Sequence, residues 1–335
     1  MNAARVNAAR VNAPAVSASE ADRRIRSLRP SKRVVDPYTP FGAIVEEERR
    51  PDGALEQALT VFLSGAECPF TCSFCDLWQY TIDGPTPLGA LPTQLESVLH
   101  DYRDPTRATP TPDRIKLYNA SNFFDKRAVP PADLPRIIEL TAPFKAITVE
   151  SHVNTIGAAT LAFARQITGR LEVAVGLETI EPVAAARLNK RLDLAAFETA
   201  ARTLVDHAID LRVFVLLGAP GIAPDASIDW TVRSVEYAVA RGASVVSIIP
   251  VRGGNGEMER LQALGQFVPP TLRALELALD RCLQFTPTVV TADLWDAEQL
   301  SACASCRAER VARMQRVNIT GISAPAVVCA MCDVA

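Results

Sequence analysis

"AECPFTCSFCDLW", residues 66–78, sets three cysteines within eight positions: Cys68, Cys72 and Cys75. The spacing is C-x3-C-x2-C, one ligand short of a closed metal site. An isolated four-iron cube takes four thiolates, and a structural zinc ion also takes four ligands. Three thiolates from one loop leave one coordination position for something other than cysteine. An open position is what chemistry at a metal requires. The plainer alternative is a zinc site completed by a distant residue.

The loop follows a short run of Val, Leu and Thr at 59–65, the first of six such runs. The others lie at 114–119, 146–151, 172–178, 211–217 and 244–250. They read as near-continuous apolar strands, the pattern of a parallel sheet covered on both faces. Helical stretches alternate with them. Residues 194–208 place Leu194, Phe197, Leu204, Val205 and Ala208 on one stripe, and 228–241 do the same with Ile228, Val232, Val235 and Val239. A T-x-x-E capping box at Thr93–Glu96 predicts another helix start. Six βα units predict a parallel α/β fold, short of the eight units of a complete barrel. In such folds chemistry sits at the carboxyl ends of the strands.

Those ends are polar or glycine-rich in all six cases. The cysteine loop follows the first strand, and "NASNFFD" follows the second, with Asn119, Ser121, Asn122 and Asp125. "ESHVN" follows the third, with Glu150, His152 and Asn154, and the fourth ends in Glu178. "GAPG" (218–221) and "VRGGNG" (251–256, with Arg252) follow the fifth and sixth. Taken singly, each has an ordinary reading as a cap or connector. Together they outline one mouth, with Asp125, Glu150, His152, Asn154 and Arg252 as candidate substrate-facing residues. His152 is the acid/base candidate by residue type; a structural hydrogen bonder is its plainer reading.

The three-cysteine motif, the aromatic Phe74 before its last cysteine, and its place after the first strand resemble the radical S-adenosylmethionine (radical SAM) superfamily. The resemblance implies a partial (β/α)6 barrel over residues 57–295 and a [4Fe–4S] cluster on Cys68, Cys72 and Cys75. It implies that SAM chelates the fourth iron and is cleaved reductively to a 5′-deoxyadenosyl radical. That radical abstracts hydrogen from an organic substrate of small or medium size. An electron donor such as flavodoxin or ferredoxin is implied as a partner. The Gly-Gly-Glu segment common after the second strand is absent, so Asn119, Ser121 or Asn122 would substitute in binding SAM. Glu178, Lys190 and Arg191 would complete that contact set with Phe74; for the two cations a solvated surface is the alternative. "LYNASNFFD", "ITVESH" and "VAVGLETIEPVAAARLNKR" look most similar to the archaeosine-synthase and elongator-type branch, which keeps tRNA-base modification as a minority reading.

A second cluster, C-x2-C-x22-C-x2-C, is formed by Cys303, Cys306, Cys329 and Cys332 in a C-terminal extension, residues 296–335. Four thiolates close a site. Structural zinc and an auxiliary [4Fe–4S] cluster both remain open. Cys282, the eighth cysteine, continues an apolar stripe through Leu272, Leu275 and Leu279 and reads as core.

Charge and composition bound the rest. Residues 1–35 carry eight Arg and Lys against Glu20 and Asp22 and open on the near-repeat MNAAR-VNAAR. They read as a disordered, basic, low-complexity tail followed by a lead-in at 36–56. The net charge of −3 argues against a general polyanion binder. Nucleic acid is possible but not favoured as a partner, and no run is long enough for a membrane span. Clustered C-x2-C pairs without a secretory apolar run place the chain in a reducing, cytoplasmic setting. The competing class is a non-catalytic metal-binding or electron-transfer protein.

Overall fold

The computed structural model describes residues 18–103 and 112–332. The repeat at the N-terminus lies outside the described residues. Eight strands form one sheet in the order of the chain: β1 (Gly42–Arg49), β2 (Leu55–Phe62), β3 (Arg114–Tyr118), β4 (Ala146–Glu150), β5 (Arg170–Glu178), β6 (Asp210–Leu217), β7 (Val245–Pro250) and β8 (Val289–Ala292). β1 and β2 pair antiparallel; every later pairing is parallel. Helix α1 (Ala18–Leu28) precedes the sheet. Between the parallel strands lie α2 (Ala90–Arg103), α3 (Leu134–Thr141), α4 (Ala158–Ala164), α5 (Pro182–Arg187), α6 (Leu194–Asp206), α7 (Pro224–Val239), α8 (Glu257–Ala263) and α9 (Leu272–Cys282). Helix α10 (Arg307–Thr320) follows β8 and packs on β1, β8 and α9, across the seam between the first and last strands. No described helix is long and apolar enough to cross a membrane.

The strands alternate more strictly than their apolar look suggests. Leu59, Val61, Ile115, Leu117, Ile147, Val149, Val173, Val213 and Ile248 are fully buried against a helical layer holding Leu95, Ile137, Phe163, Phe197, Leu204 and Val235. Burying each such side chain contributes about 1.5–3 kcal/mol. The intervening residues include Thr60, Lys116, Thr148, Glu172 and Arg212, which face inward. Glu48 of β1 pairs with Lys116 of β3 and, at 3.0 Å, with Arg212 of β6. The first strand meets the sixth only because the sheet is rolled. This is a curled, barrel-like α/β sheet, as expected, but its inner face is polar.

The sheet also has two strands beyond the six runs. β1 falls in the expected lead-in because GAIVEEER holds few apolar residues; of its acids Glu48 faces the polar interior, while Glu46 and Glu47 are exposed. β8 is only four residues long. Residues 18–28, expected in a disordered tail, are helical, with Ala21 and Ile25 buried. Helix α2 begins three residues before Thr93, whose hydroxyl donates to Gly89 O inside the first turn, so Thr93 is not its N-cap. Cys282 is fully buried in the core.

Candidate active site

The cysteine loop leaves the carboxyl end of β2 and is fastened from three sides. Ser73 N donates to Leu188 O at 2.9 Å, and Asn255 Nδ2 donates to Ser73 O at 2.6 Å. Asn189 Nδ2 reaches both Thr71 O and Thr71 Oγ1, at 2.9 and 2.8 Å. Asp22 of α1 accepts from the Thr71 hydroxyl, from Asn189 and from Arg191. Phe74 packs into a small apolar cluster with Leu216, Val251, Met258 and Leu261, which anchors the loop beside α8. Burial pushes the Cys72 thiol up to about 12 and raises Cys75 well above the usual thiol range, while Lys190 draws Cys68 and Cys72 part of the way down. A thiolate so placed needs a cation beside it, and a metal centre supplies one.

The end of β4 reaches this loop through Asn122. Its Nδ2 donates to Cys68 Sγ at 3.5 Å, and its Oδ1 accepts from His152 N at 2.7 Å. The His152 ring stacks on Phe70 with centroids 4.0 Å apart. Its Nδ1 accepts from Asn154 N at 3.2 Å, so Nε2 carries the proton toward Lys190 O, 3.1 Å away. Burial, then the Lys190 charge, push the imidazole down to about 4. His152 is therefore a neutral ring that positions the loop, not a proton carrier at neutral pH. Glu150 accepts the backbone N–H groups of Asn119, Ala120 and Ser121, the first at 2.8 Å; burial nevertheless raises it to about 7. It braces the turn after β3. That turn holds up Asn119 and Ser121, whose buried side-chain polar atoms have no hydrogen-bond partner.

Lys190 and Glu178 form a buried ion pair. Glu178 sits at a positive φ of 68°, where the β5 register shifts. Gly176 makes room for the pair, since a Cβ there would strike both the Glu178 carboxylate and the Lys190 ammonium. Among the other expected residues, Arg191 turns outward to Asp22. Arg252 ties β7 to the segment after β8, donating to Asp293 at 2.9 Å and to Trp295 O. Asp125 accepts from Arg127 N at 2.9 Å and closes its own turn. Asn154 is exposed. The structure thus brings Cys68, Cys72, Asn119, Ser121, Asn122, Glu150, His152, Glu178 and Lys190 to one mouth. Arg191 is held by Asp22, Arg252 by Asp293 and Asp125 within its own turn, while the exposed Asn154 meets the mouth through its backbone N–H on His152.

Sequence reasoning missed Asp22, Phe70, Asn189 and Asn255. Asn189 and Asn255 lie within "LNKR" and "VRGGNG", where only the cations and glycines drew notice. Asp22 carried no local signal. A cavity of about 210 Å³ opens beside Cys68, lined by Arg26, Glu67, Asp83 and Arg127. The basic segment is folded onto this rim: Arg29 and Lys32 pair with Glu67 at 2.7 and 3.3 Å, and Arg24 pairs with Glu257 at 3.2 Å. At the far end of the chain, the Sγ atoms of Cys303, Cys306, Cys329 and Cys332 all lie within 4.8 Å of one another.

No protein-family model and no curated relative matches the sequence. Among solved structures, the chain is similar to a radical SAM methyltransferase from Sphaerobacter thermophilus, with 18% identity and a TM-score of 0.52 over 77% of this chain and 78% of that one. It is also similar to the Elp3 protein of the archaeon Methanocaldococcus infernus lacking its residues 1–46, with 14% identity and a TM-score of 0.51 over 67% of this chain. The chain spans 58% of the length of that archaeal structure.

Proposed function

We propose that this chain, whose fold is that of the radical SAM enzymes, is itself a radical SAM enzyme. Cys68, Cys72 and Cys75 would hold a [4Fe–4S] cluster, with SAM at the fourth iron. When bound and reduced, that pair supplies a 5′-deoxyadenosyl radical able to take hydrogen from carbon of an organic substrate. The observation that carries the reading is the juxtaposition at the mouth. A three-cysteine loop leaves the first parallel strand, and beside it stand buried Asn119 and half-buried Ser121, whose enclosed side-chain polar atoms have no partner. A buried polar atom without a partner costs about 1–3 kcal/mol, so a ligand that satisfies these is strongly favoured.

The chain's own residues then have separable tasks. Asn122 directs a hydrogen bond at the Cys68 sulfur, which steadies that thiolate. Lys190 places a positive charge near Cys68 and Cys72, and Glu178 holds that ammonium in place. Glu150 fixes the turn that presents Asn119 and Ser121. Arg29 and Lys32, paired with Glu67, hold the segment after α1 against the rim of the loop.

A reducing, cytoplasmic setting and an electron donor such as flavodoxin or ferredoxin belong to this reading. So does a substrate of small or medium size. Nucleic acid is less supported, because Arg24, Arg29 and Lys32 are paired with this chain's own acids. The test is anaerobic reconstitution with iron and sulfide, then dithionite and SAM. Formation of 5′-deoxyadenosine, absent in Cys72→Ala, is expected. An intact cluster that yields none would leave the metal-binding or electron-transfer class instead.

A further inference from the structure

We infer that Cys303, Cys306, Cys329 and Cys332 hold a single zinc ion in a closed structural site, and that the tail carries no second iron–sulfur cluster. The argument is one of distance. Cys303 Sγ lies 3.7 Å from Cys329 Sγ, and Cys306 Sγ lies 3.5 Å from Cys332 Sγ. All four sulfurs fall within 4.8 Å of one another, and the cysteines are free. Four sulfurs around one zinc, each about 2.3 Å from it, form a tetrahedron with an edge of roughly 3.8 Å. A four-iron cube puts each thiolate on a different iron, with the irons and sulfides in between. Its thiolates stand much further apart, and a cube does not fit inside this set. Contacts of 3.5 and 3.7 Å are also far beyond a disulfide bond, which is about 2.0 Å.

Two of the four sulfurs also have hydrogen-bond donors from this chain. The backbone N–H groups of Ser305 and Cys306 donate to Cys303 Sγ. Arg310 Nε donates to Cys306 Sγ at 3.4 Å, and its guanidinium is held by Glu276 of α9. Donors that orient and neutralise thiolate ligands are the usual outer support of such a site.

The site also has a mechanical task that a closed ion suits. Helix α10 covers the seam between β1 and β8, yet its buried apolar residues are only Met314 and Val317; Arg310 and Arg313 supply the rest of the buried face. The chain then turns back, and Arg313 Nε reaches Ala324 O and Pro325 O at 3.1 and 2.8 Å. Joining Cys303 and Cys306, before α10, to Cys329 and Cys332, after it, staples this return to the helix. Structural zinc contributes folding energy outright.

Metal analysis of the chain purified anaerobically and reconstituted with iron and sulfide tests the inference. About one zinc and about four irons per chain are expected. Cys68→Ala/Cys72→Ala/Cys75→Ala should keep the zinc and lose the iron; Cys303→Ser/Cys332→Ser should lose the zinc, keep the iron and melt at a lower temperature. If either variant is insoluble, growth on cobalt decides, because cobalt(II) in a tetrahedral tetrathiolate site gives intense visible bands. Eight irons without zinc would overturn the inference. So would iron and sulfide retained in the triple variant, a lone iron with a high-spin ferric signal, or four irons with an empty tail. Zinc without iron would uphold it while removing the radical SAM reading, so the two fail separately.

Discussion

At the amino ends of the barrel strands, three carboxylates meet three cations: Glu48, Glu56 and Glu172 against Arg114, Lys116 and Arg212. At the carboxyl ends Asn119 is also buried and Ser121 half-buried, and their enclosed side-chain polar atoms have no partner. Both regions are polar interiors of the same sheet, lined by the same alternation. In the lower one charge is matched: burial would raise Glu48, but Arg212 and Lys116 bring it down to about 2. The difference separates structure from readiness. A network satisfied by its own chain has no need of a ligand, even where it borders a cavity of about 250 Å³. Polar atoms left unpaired beside a cysteine loop are stable only when something else completes them.

The largest effect that would sharpen this contrast is at the mouth. Cys72→Ala should reduce 5′-deoxyadenosine to background and lower bound iron, read by chromatography and metal analysis, with little change in the fold by circular dichroism. Arg212→Met attacks the lower network. It leaves three buried carboxylates against two cations, with Glu48 on Lys116 alone and Glu172 on Arg114 alone, and should cost about 3–5 kcal/mol in urea unfolding. Affinity for SAM per folded molecule should not change; a loss would join the two regions. Asn119→Ala should do the opposite. Stability stays level or rises, while SAM binding by calorimetry weakens about two- to tenfold for a hydrogen bond worth about 0.5–1.5 kcal/mol.

Two smaller effects refine the picture. Glu150 has its folded value raised from the ordinary 4.5 to about 7. The folded state therefore holds this proton more tightly than the unfolded chain does. The stability it contributes is complete below about 4.5 and is lost as pH rises to about 7. Glu150→Gln removes that dependence. The difference in melting temperature between the two metal-free proteins should drift over this window and be flat above it. Asp22→Ala frees Arg191, leaves Asn189 with Thr71 alone and loosens the cysteine loop. Iron loss to a chelator should quicken about two- to fivefold, the scale of a partly exposed ion pair.

Much of the site was legible because its signals are local. The cysteine spacing, the turn "NASN" and the sequence "ESH" each fall within a few residues, at the ends of strands with a readable period. Asp22 was not legible: it lies 167 residues from Asn189 and 169 from Arg191. Arg191 looked free for a ligand because the carboxylate that holds it, Asp22, is remote in sequence. The basic segment looked disordered because its acidic partners, Glu67 and Glu257, lie far along the chain. The inward face of the strands was legible in principle, in TVE and EVAVG, but the apolar half of each alternation dominated the reading.

By itself the sequence determined the repeating α/β architecture, the three-cysteine loop after the first parallel strand, and a four-cysteine set near the other end. Those follow from periodicity and ligand count, which are properties of neighbours. Only the tertiary structure decided that His152 is a neutral buttress, that Arg191 is occupied, and that the charges of the lower barrel cancel. It also decided that four sulfurs, from pairs 26 residues apart, stand close enough for one ion. Burial, pairing and distance between remote segments are consequences of how the sheet rolls and the chain returns.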